Sequence, residues 1–244
     1  MLFHASPLKL GCLNIEKYKH LEVRVVPALR EADLDVICLQ EVPEDKVGYL
    51  ESALGATSLF LGTTIRPDPD SGRELIFGLA IFIRRAFVVQ CDAHVFHEAT
   101  PDDIPLPADR ALLYAVVEKD SVRYHIGNTH FTWTPDGEVS DQQFVDLSAL
   151  FGVIDDHVGT KLILCGDFNA PRGKRIWEML AQRYRDNIPP SAITTLDQKL
   201  HRAAPIFYVV DGMFTSRHYV ATEVELRDSV SDHMLITGKI TRVA

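Results

Sequence analysis

Cysteine is scarce in this chain. Four cysteines (Cys12, Cys38, Cys91 and Cys165) stand among 244 residues without a single CxxC pair, and three of them lie in apolar runs. That pattern gives neither a disulfide framework nor a zinc cage, and it reads as free thiols, mostly buried. Long hydrophobic runs are also missing. The longest, 75–83, is nine residues and contains Gly78, far below the roughly 20 that a membrane-spanning helix needs. The first eleven residues carry one lysine and no continuous apolar segment, so they lack the zones of a secretory signal and the expectation is a cytoplasmic protein. Positive charge is in deficit: 25 Lys plus Arg face 34 Asp plus Glu, a formal net charge of -9. A general basic surface for tracking along duplex nucleic acid is thereby disfavoured, although a local basic groove is not. Fixed-period repeats and low-complexity tracts are absent, as are the GxxxxGK[ST], GxGxxG, HExxH and GxSxG signatures.

What remains is an ordinary globular composition, 46% apolar and 24% charged, long enough for one domain spanning 1–244. Runs rich in Val, Ile, Leu and Phe predict strands over 8–15, 35–40, 79–83, 111–117, 122–130, 161–165, 207–214 and 234–240. Apolar residues three and four apart predict helices around 144–154 and 176–184, and another over 22–32 provided Pro27 falls in its first turn. The adjacent pair 111–117 and 122–130 signals a hairpin. Mixed sheets sandwiched by helices therefore fit better than a purely parallel plan. The Pro- and Asp-rich segments 66–74, 100–109 and 185–204 predict loops, the last with room for a short helix. His94 and His97, three apart near a strand end, are expected to point to different faces.

Polar residues gather where the apolar strands end. Asn14 follows 8–13, Gln40 and Glu41 follow 36–39, Asn128 and His130 close 122–130, Asp167 and Asn169 follow 162–165, and Asp232 and His233 precede 234–240. Singly they are turn formers, but strand ends open onto the ligand crevice in sheets of this kind. With GCLNI, ICLQEV, GNTHF, GDFNAP, VVDGMFTS and SDH in that order, the sequence resembles the endonuclease/exonuclease/phosphatase superfamily of metal-dependent phosphoesterases, over 10–240. The resemblance implies an α/β fold, a four-layered sandwich of two mixed β-sheets packed face to face with helices outside.

The resemblance and the chemistry together nominate roles. A hard cation, Mg²⁺ or Mn²⁺, takes oxygen ligands and few protein carboxylates, which suits Glu41, Asn14 and Asp232. Phosphoryl transfer depends on aiming a water in line with the leaving oxygen. Asp167 is the candidate acceptor of that water's proton, with Asn169 positioning it, and His233 either donates to the phosphoryl oxygens or is itself the base. The resemblance gives Asp211 the task of fixing the His233 tautomer and gives His130 a phosphate contact. Arg110, Asn128 and Trp133 are candidates for substrate binding. Arg172, Lys174 and Arg175 form the one short basic cluster near the site, either a phosphate contact or a solvated helix start.

The function expected is a divalent-metal-dependent phosphoester hydrolase, first a phosphodiesterase acting on nucleic acid, at ends or short single strands. Phosphatase or phosphodiesterase action on small-molecule or lipid phosphoesters is the alternative, and a non-catalytic binding domain is the reading from another class. With no extra apolar stripe, the chain is expected to be a monomer.

Overall fold

The computed structural model describes residues 6–67, 72–103 and 107–243, so parts of the predicted loops 66–74 and 100–109 lie outside the described residues. In chain order come β1 (Leu8–Asn14), α1 (Val26–Ala32), β2 (Val36–Pro43), α2 (Val47–Leu54), β3 (Thr57–Pro67), β4 (Glu74–Ile83), β5 (Phe87–His97), β6 (Arg110–Lys119), β7 (Val122–His130), α3 (Asp141–Val153), β8 (Ile163–Asp167), α4 (Arg175–Arg183), β9 (Arg185–Asp186), β10 (Asp211–Thr215), β11 (Tyr219–Arg227) and β12 (Leu235–Arg242). They build two six-stranded mixed sheets, ordered β11-β12-β1-β2-β4-β3 and β5-β6-β7-β8-β10-β9.

The layering explains the near-continuous apolar runs, because central strands are covered on both faces and alternate residues serve different cores. In β2, Val36 and Cys38 face the core between the sheets, while Ile37 and Leu39 face Leu29, Leu50 and Leu54 of α1 and α2. In β4, Leu79, Ile81 and Ile83 take the first direction and Ala80 and Phe82 the second. Across the other sheet, Leu147 and Leu150 of α3 and Ile176, Trp177 and Leu180 of α4 close the sandwich. No helix among the described residues is long and apolar enough to cross a membrane.

Several expectations need correction. The segment 207–214 joins a strand ladder only from Asp211. The segment 22–32 is interrupted: a π turn over Leu21–Val25 precedes α1, which carries Pro27 in its first turn, where the missing amide hydrogen breaks no ladder bond. His94 and His97 lie on one face, since a register shift between Val95 and His97 cancels their odd spacing. The His94 ring stacks on His157 at 4.2 Å, and His97 meets Asp146 at 3.1 Å and Asp103 at 3.2 Å. Cys12, Cys38 and Cys165 are buried free thiols, and Cys91 is free and exposed.

Candidate active site

Parallel pairing brings the polar strand ends together. β1 runs parallel to β2 with Asn14 opposite Gln40, and β7 runs parallel to β8 with His130 opposite Asp167. β10 is antiparallel to β8, so its first residue, Asp211, lies opposite Asp167. His233 stands just before β12, which runs antiparallel to β1. Parallel strands end, and antiparallel ones begin, at one edge of the sandwich. A cleft of about 430 Å³ opens there.

Two backbone devices aim the carboxylates. In β2 the pairing with β4 slips between Leu39 and Val42, and Glu41 takes a left-handed φ of 56°, a conformation that a non-glycine residue adopts only when its surroundings enforce it. Gln40 keeps the alternation of Val36 and Cys38 and points between the sheets, while the bulge leaves Glu41 at the cleft. On β8, Gly166 allows close approach to β7: a Cβ there would stand 2.1 Å from the Thr129 carbonyl oxygen. The glycine thus lets Asp167 sit beside His130.

Asp167 is the hub. Its Oδ1 accepts the Asn169 backbone N–H at 2.9 Å, its Oδ2 accepts Asn14 Nδ2 at 3.2 Å, and His130 Nε2 and His233 Nε2 lie 3.5 and 3.7 Å from Oδ2. Asn14 Nδ2 also reaches Glu41 Oε1 at 3.3 Å, and Asn169 is held by donating Nδ2 to the Phe131 carbonyl at 3.0 Å. His233 Nδ1 engages both Asp211 oxygens at 3.0 and 2.9 Å. Burial opposes a charge on His233, but the Asp211 and Asp167 carboxylates outweigh it and hold the imidazole well above its ordinary value. His130 is shifted the other way, pushed down by burial. Burial also opposes ionisation of Glu41; the His130 and Lys17 side chains and a hydrogen bond from Asn14 overcome it and bring the carboxyl to about 2. With His130 favouring its neutral form, the Lys17 ammonium, 2.7 Å from Glu41 Oε2, carries that effect at neutral pH.

The carboxylates suit a hard cation at Glu41. Glu41 Oε2 is buried and accepts no well-aligned hydrogen bond, and Asp232 lines the same cleft, so these oxygens are those that Mg²⁺ or Mn²⁺ prefers; Asn14, whose Oδ1 accepts the Glu16 backbone N–H at 3.1 Å, turns Nδ2 toward Glu41. Asp167, Asp211 and His233 also bring possible ligand atoms within 4.8 Å of one another. Their bonds are already spent on each other, with His233 Nδ1 committed to Asp211, so this trio reads as a proton-holding unit rather than a cage.

Of the remaining candidates, Arg110 and Trp133 line the cleft. Arg110 is 6% exposed and makes no hydrogen bond or ion pair among the described residues, and burial lowers its affinity for the proton. Asn128 does not reach the cleft. It is fully buried between the sheets, accepting from Gln40 Nε2 at 2.6 Å and donating to the Leu39 and Ala80 carbonyls at 2.8 and 3.0 Å. Its expected substrate contact is replaced by a role in fixing the bulge that aims Glu41. Asn128→Ala should lower stability by about 3 kcal/mol through the unsatisfied groups it leaves, as read by urea unfolding. The cluster at 172–175 is likewise spent internally: Arg172 pairs with Asp186 at 3.1 Å, Lys174 with Glu138 and Arg175 with Glu178. It stands at the start of α4.

The strand-end motifs gave no sign of Lys17, Arg66, Phe77, His201, Arg202 or Tyr208, all of which line the cleft. The last three come from a long connection pinned beside His233, where Asp197 N–H donates to the Asp232 carbonyl and Met234 N–H to that of Thr195. Its Pro- and Asp-rich composition over 185–204 marked it in the sequence only as a loop.

A sandwich of two mixed sheets whose strand ends converge on Asn14, Glu41, His130, Asp167 and the Asp211–His233 pair defines a phosphoesterase of the α/β-sandwich class. The chain belongs to the Endonuclease/Exonuclease/phosphatase family, whose sequence model matches residues 12–243. Members of this family are hydrolases that depend in general on a divalent metal. Among solved structures, it is similar to the human Nocturnin catalytic domain with bound sulfate (19% identity, TM-score 0.72, covering 98% of this chain and 94% of that one). A mannosyl-6-phosphatase of Bacteroides thetaiotaomicron VPI-5482 is 14% identical with a TM-score of 0.71, covering 96% and 99% of the two chains. ANGEL2, a 2',3'-cyclic phosphatase, is 16% identical with a TM-score of 0.69, covering 98% and 96%. At these identities the likeness establishes the fold. No curated protein matches the chain by sequence.

Proposed function

We propose that this chain is a divalent-metal-dependent phosphodiesterase acting on nucleic acid ends or short single strands. The observation that carries the reading is Asp167 held between Asn14, His130 and His233, beside a buried Arg110 whose side chain makes no ion pair among the described residues. A buried guanidinium without hydrogen-bonded partners is costly, and a phosphoryl group in the cleft offsets that cost through paired charge-assisted hydrogen bonds. Glu41, with Asp232, would hold Mg²⁺ or Mn²⁺. That ion, when bound, neutralises charge on the phosphoryl oxygens and the leaving oxygen.

The proton assignments follow from the electrostatics. The Asp211 and Asp167 carboxylates favour the protonated form of His233 against burial, which suits it to donate to a phosphoryl oxygen. Asp167, a carboxylate with donors on both oxygens, accepts the proton of the attacking water, and Asn169 orients it. His130, favouring its neutral form, contacts the phosphoryl group without adding a charge. The net charge of -9 favours ends and short strands over long duplex. A second reading, hydrolysis of small-molecule phosphoesters, draws on the same features and on the likeness to a mannosyl-6-phosphatase. Turnover in Mg²⁺ and Mn²⁺ over single- and double-stranded DNA, RNA, phosphoinositides, sphingomyelin, sugar phosphates and bis-p-nitrophenyl phosphate decides between them. Absence of hydrolysis across the whole set, from folded protein, overturns both.

The His233 assignment makes a pH prediction. A raised histidine value means that the imidazolium is complete well below it and is lost as pH rises through it, so the donor disappears on the alkaline side. In Asp211→Asn the amide oxygen still accepts from Nδ1, but the carboxylate charge is gone and burial pulls the imidazole down. The alkaline limb of the kcat profile should therefore move to lower pH. An unmoved limb would show that His233 does not set it.

A further inference from the structure

Phe77 carries two cations into the cleft. The Arg66 guanidinium lies 4.8 Å from the ring centroid and the Lys17 ammonium 5.8 Å from it, while Tyr18 braces the ring edge-on at 5.7 Å. The ring faces are attractive to cations and hold long side chains in place. Lys17 is answered by Glu41 at 2.7 Å. Among the described residues no ion pair reaches Arg66, and its Nε is buried without a hydrogen-bond partner. Arg202, exposed on another wall, also has no acidic partner. In a chain of net charge -9, the described residues thus place Arg66, Arg110 and Arg202 in one cleft with no ion pair among them, in a lining that also carries Glu16, Glu41, Asp136, Asp167 and Asp232.

Arg110 opens β6 of one sheet and lines the cleft with Asp167 and His130, whereas Arg66 and Phe77 belong to β3 and β4 of the other sheet. A cation at Glu41 competes with Lys17 for the same Oε2, so loading the site would release a second positive group beside Arg66. We infer that Arg66 and Lys17, seated on Phe77, form a second anion subsite that receives a phosphate of the substrate other than the one hydrolysed. This deepens the phosphodiesterase reading and rests on it: the preferred substrate carries at least two phosphates, either the neighbouring backbone phosphate of a short strand or the second phosphate of a small bisphosphate. A guanidinium suits that task because its planar fork matches two phosphate oxygens.

The test compares matched pairs of substrates on the full chain in Mg²⁺ or Mn²⁺. One pair is thymidylyl-thymidine with and without a 5'-phosphate, another is propane-1,3-diol bisphosphate against propyl phosphate, and bis-p-nitrophenyl phosphate serves as the one-phosphate reference. The wild type should favour the two-phosphate member of at least one pair, and which pair shows it names the source of the second phosphate. Arg66→Ala should lower kcat/KM for that member about tenfold more than for the reference, the scale of one charge-assisted contact. Arg66→Lys, which keeps the charge without the fork, should fall between. Phe77→Leu should reproduce part of the loss by releasing the guanidinium, with circular dichroism confirming the fold. Equal losses on one- and two-phosphate substrates, or no preference in the wild type, overturn the subsite while leaving the phosphodiesterase reading intact. If no substrate turns over, that reading fails, and calorimetric binding of the same pairs to Asp167→Asn in Mg²⁺ still judges the subsite: a two-phosphate preference that Arg66→Ala abolishes supports it, and its absence overturns it.

Discussion

Asp167→Asn should lower kcat by about 10²-fold or more, the scale expected when a positioned proton acceptor is lost. The exchange preserves shape. Asn keeps one oxygen to accept the Asn169 backbone N–H, so the left-handed turn after β8 survives. The second position, where Oδ2 faces Asn14 Nδ2, His130 and His233, becomes an amide nitrogen, which carries no charge and cannot accept from Asn14. Two effects then coincide: the attacking water has no acceptor, and His233 loses one of the two carboxylates that keep it protonated. KM should change little, because Arg110 and His130 still meet the phosphoryl group, and the thermal midpoint should barely move. A variant that unfolds readily, yet turns over normally per folded molecule, would make Asp167 a turn residue and remove it from the mechanism.

Chelation should abolish turnover while leaving the protein folded, and adding back Mg²⁺ or Mn²⁺ should restore activity. The first half follows from chemistry, since nothing else in the cleft offers a compact double charge to the phosphoryl oxygens. The second follows from size. Two large apolar clusters hold the sandwich, and a core of that extent does not need a cation to fold. The metal-free site is also electrostatically tolerable: Lys17 pairs with Glu41, whose carboxyl sits at about 2 against an ordinary 4.5. For a carboxyl lowered in the folded state, the stabilisation is present above the unfolded value and is lost as pH falls toward the folded one, so it is complete at neutral pH. Calorimetry with and without metal should show a modest shift, because a ligand at a hundredfold its Kd adds only about 2.7 kcal/mol. Full turnover in excess chelator would overturn the metal mechanism, and collapse of the fold would overturn the claim that the site is peripheral to stability.

The strands covered on both faces were legible in the sequence because burial writes itself as continuous apolar runs: β1, β2, β4, β6, β7, β8 and β12 all coincide with such runs. The edge and half-exposed strands were not. β5 carries Gln90, Cys91 and Asp92 in its exposed middle, and β3 and β11 are largely uncovered, so no periodicity distinguishes them from loops. The eight-residue α2 is too short for its pattern to stand out. In these segments the ladder to a neighbouring strand, or packing against one sheet, supplies what local preference lacks.

For the site, the sequence marked the polar residues at strand ends, most of which the parallel pairings of β1 with β2 and β7 with β8 bring to one edge. It could not determine which way each side chain turns. Asn128 and His130 are two apart on one strand, yet Asn128 is spent between the sheets while His130 reaches the cleft, and Glu41 reaches it only because β2 bulges against β4. Nor could it bring Lys17 and Arg66 onto Phe77, or place Asp211 on His233 as a matter of geometry, since these contacts join residues far apart in the chain. Direction at a bulge depends on the partner strand's register, and the charge a histidine carries depends on which carboxylates surround it. Neither is a property of a residue's neighbours along the chain, and both were decided by the tertiary structure.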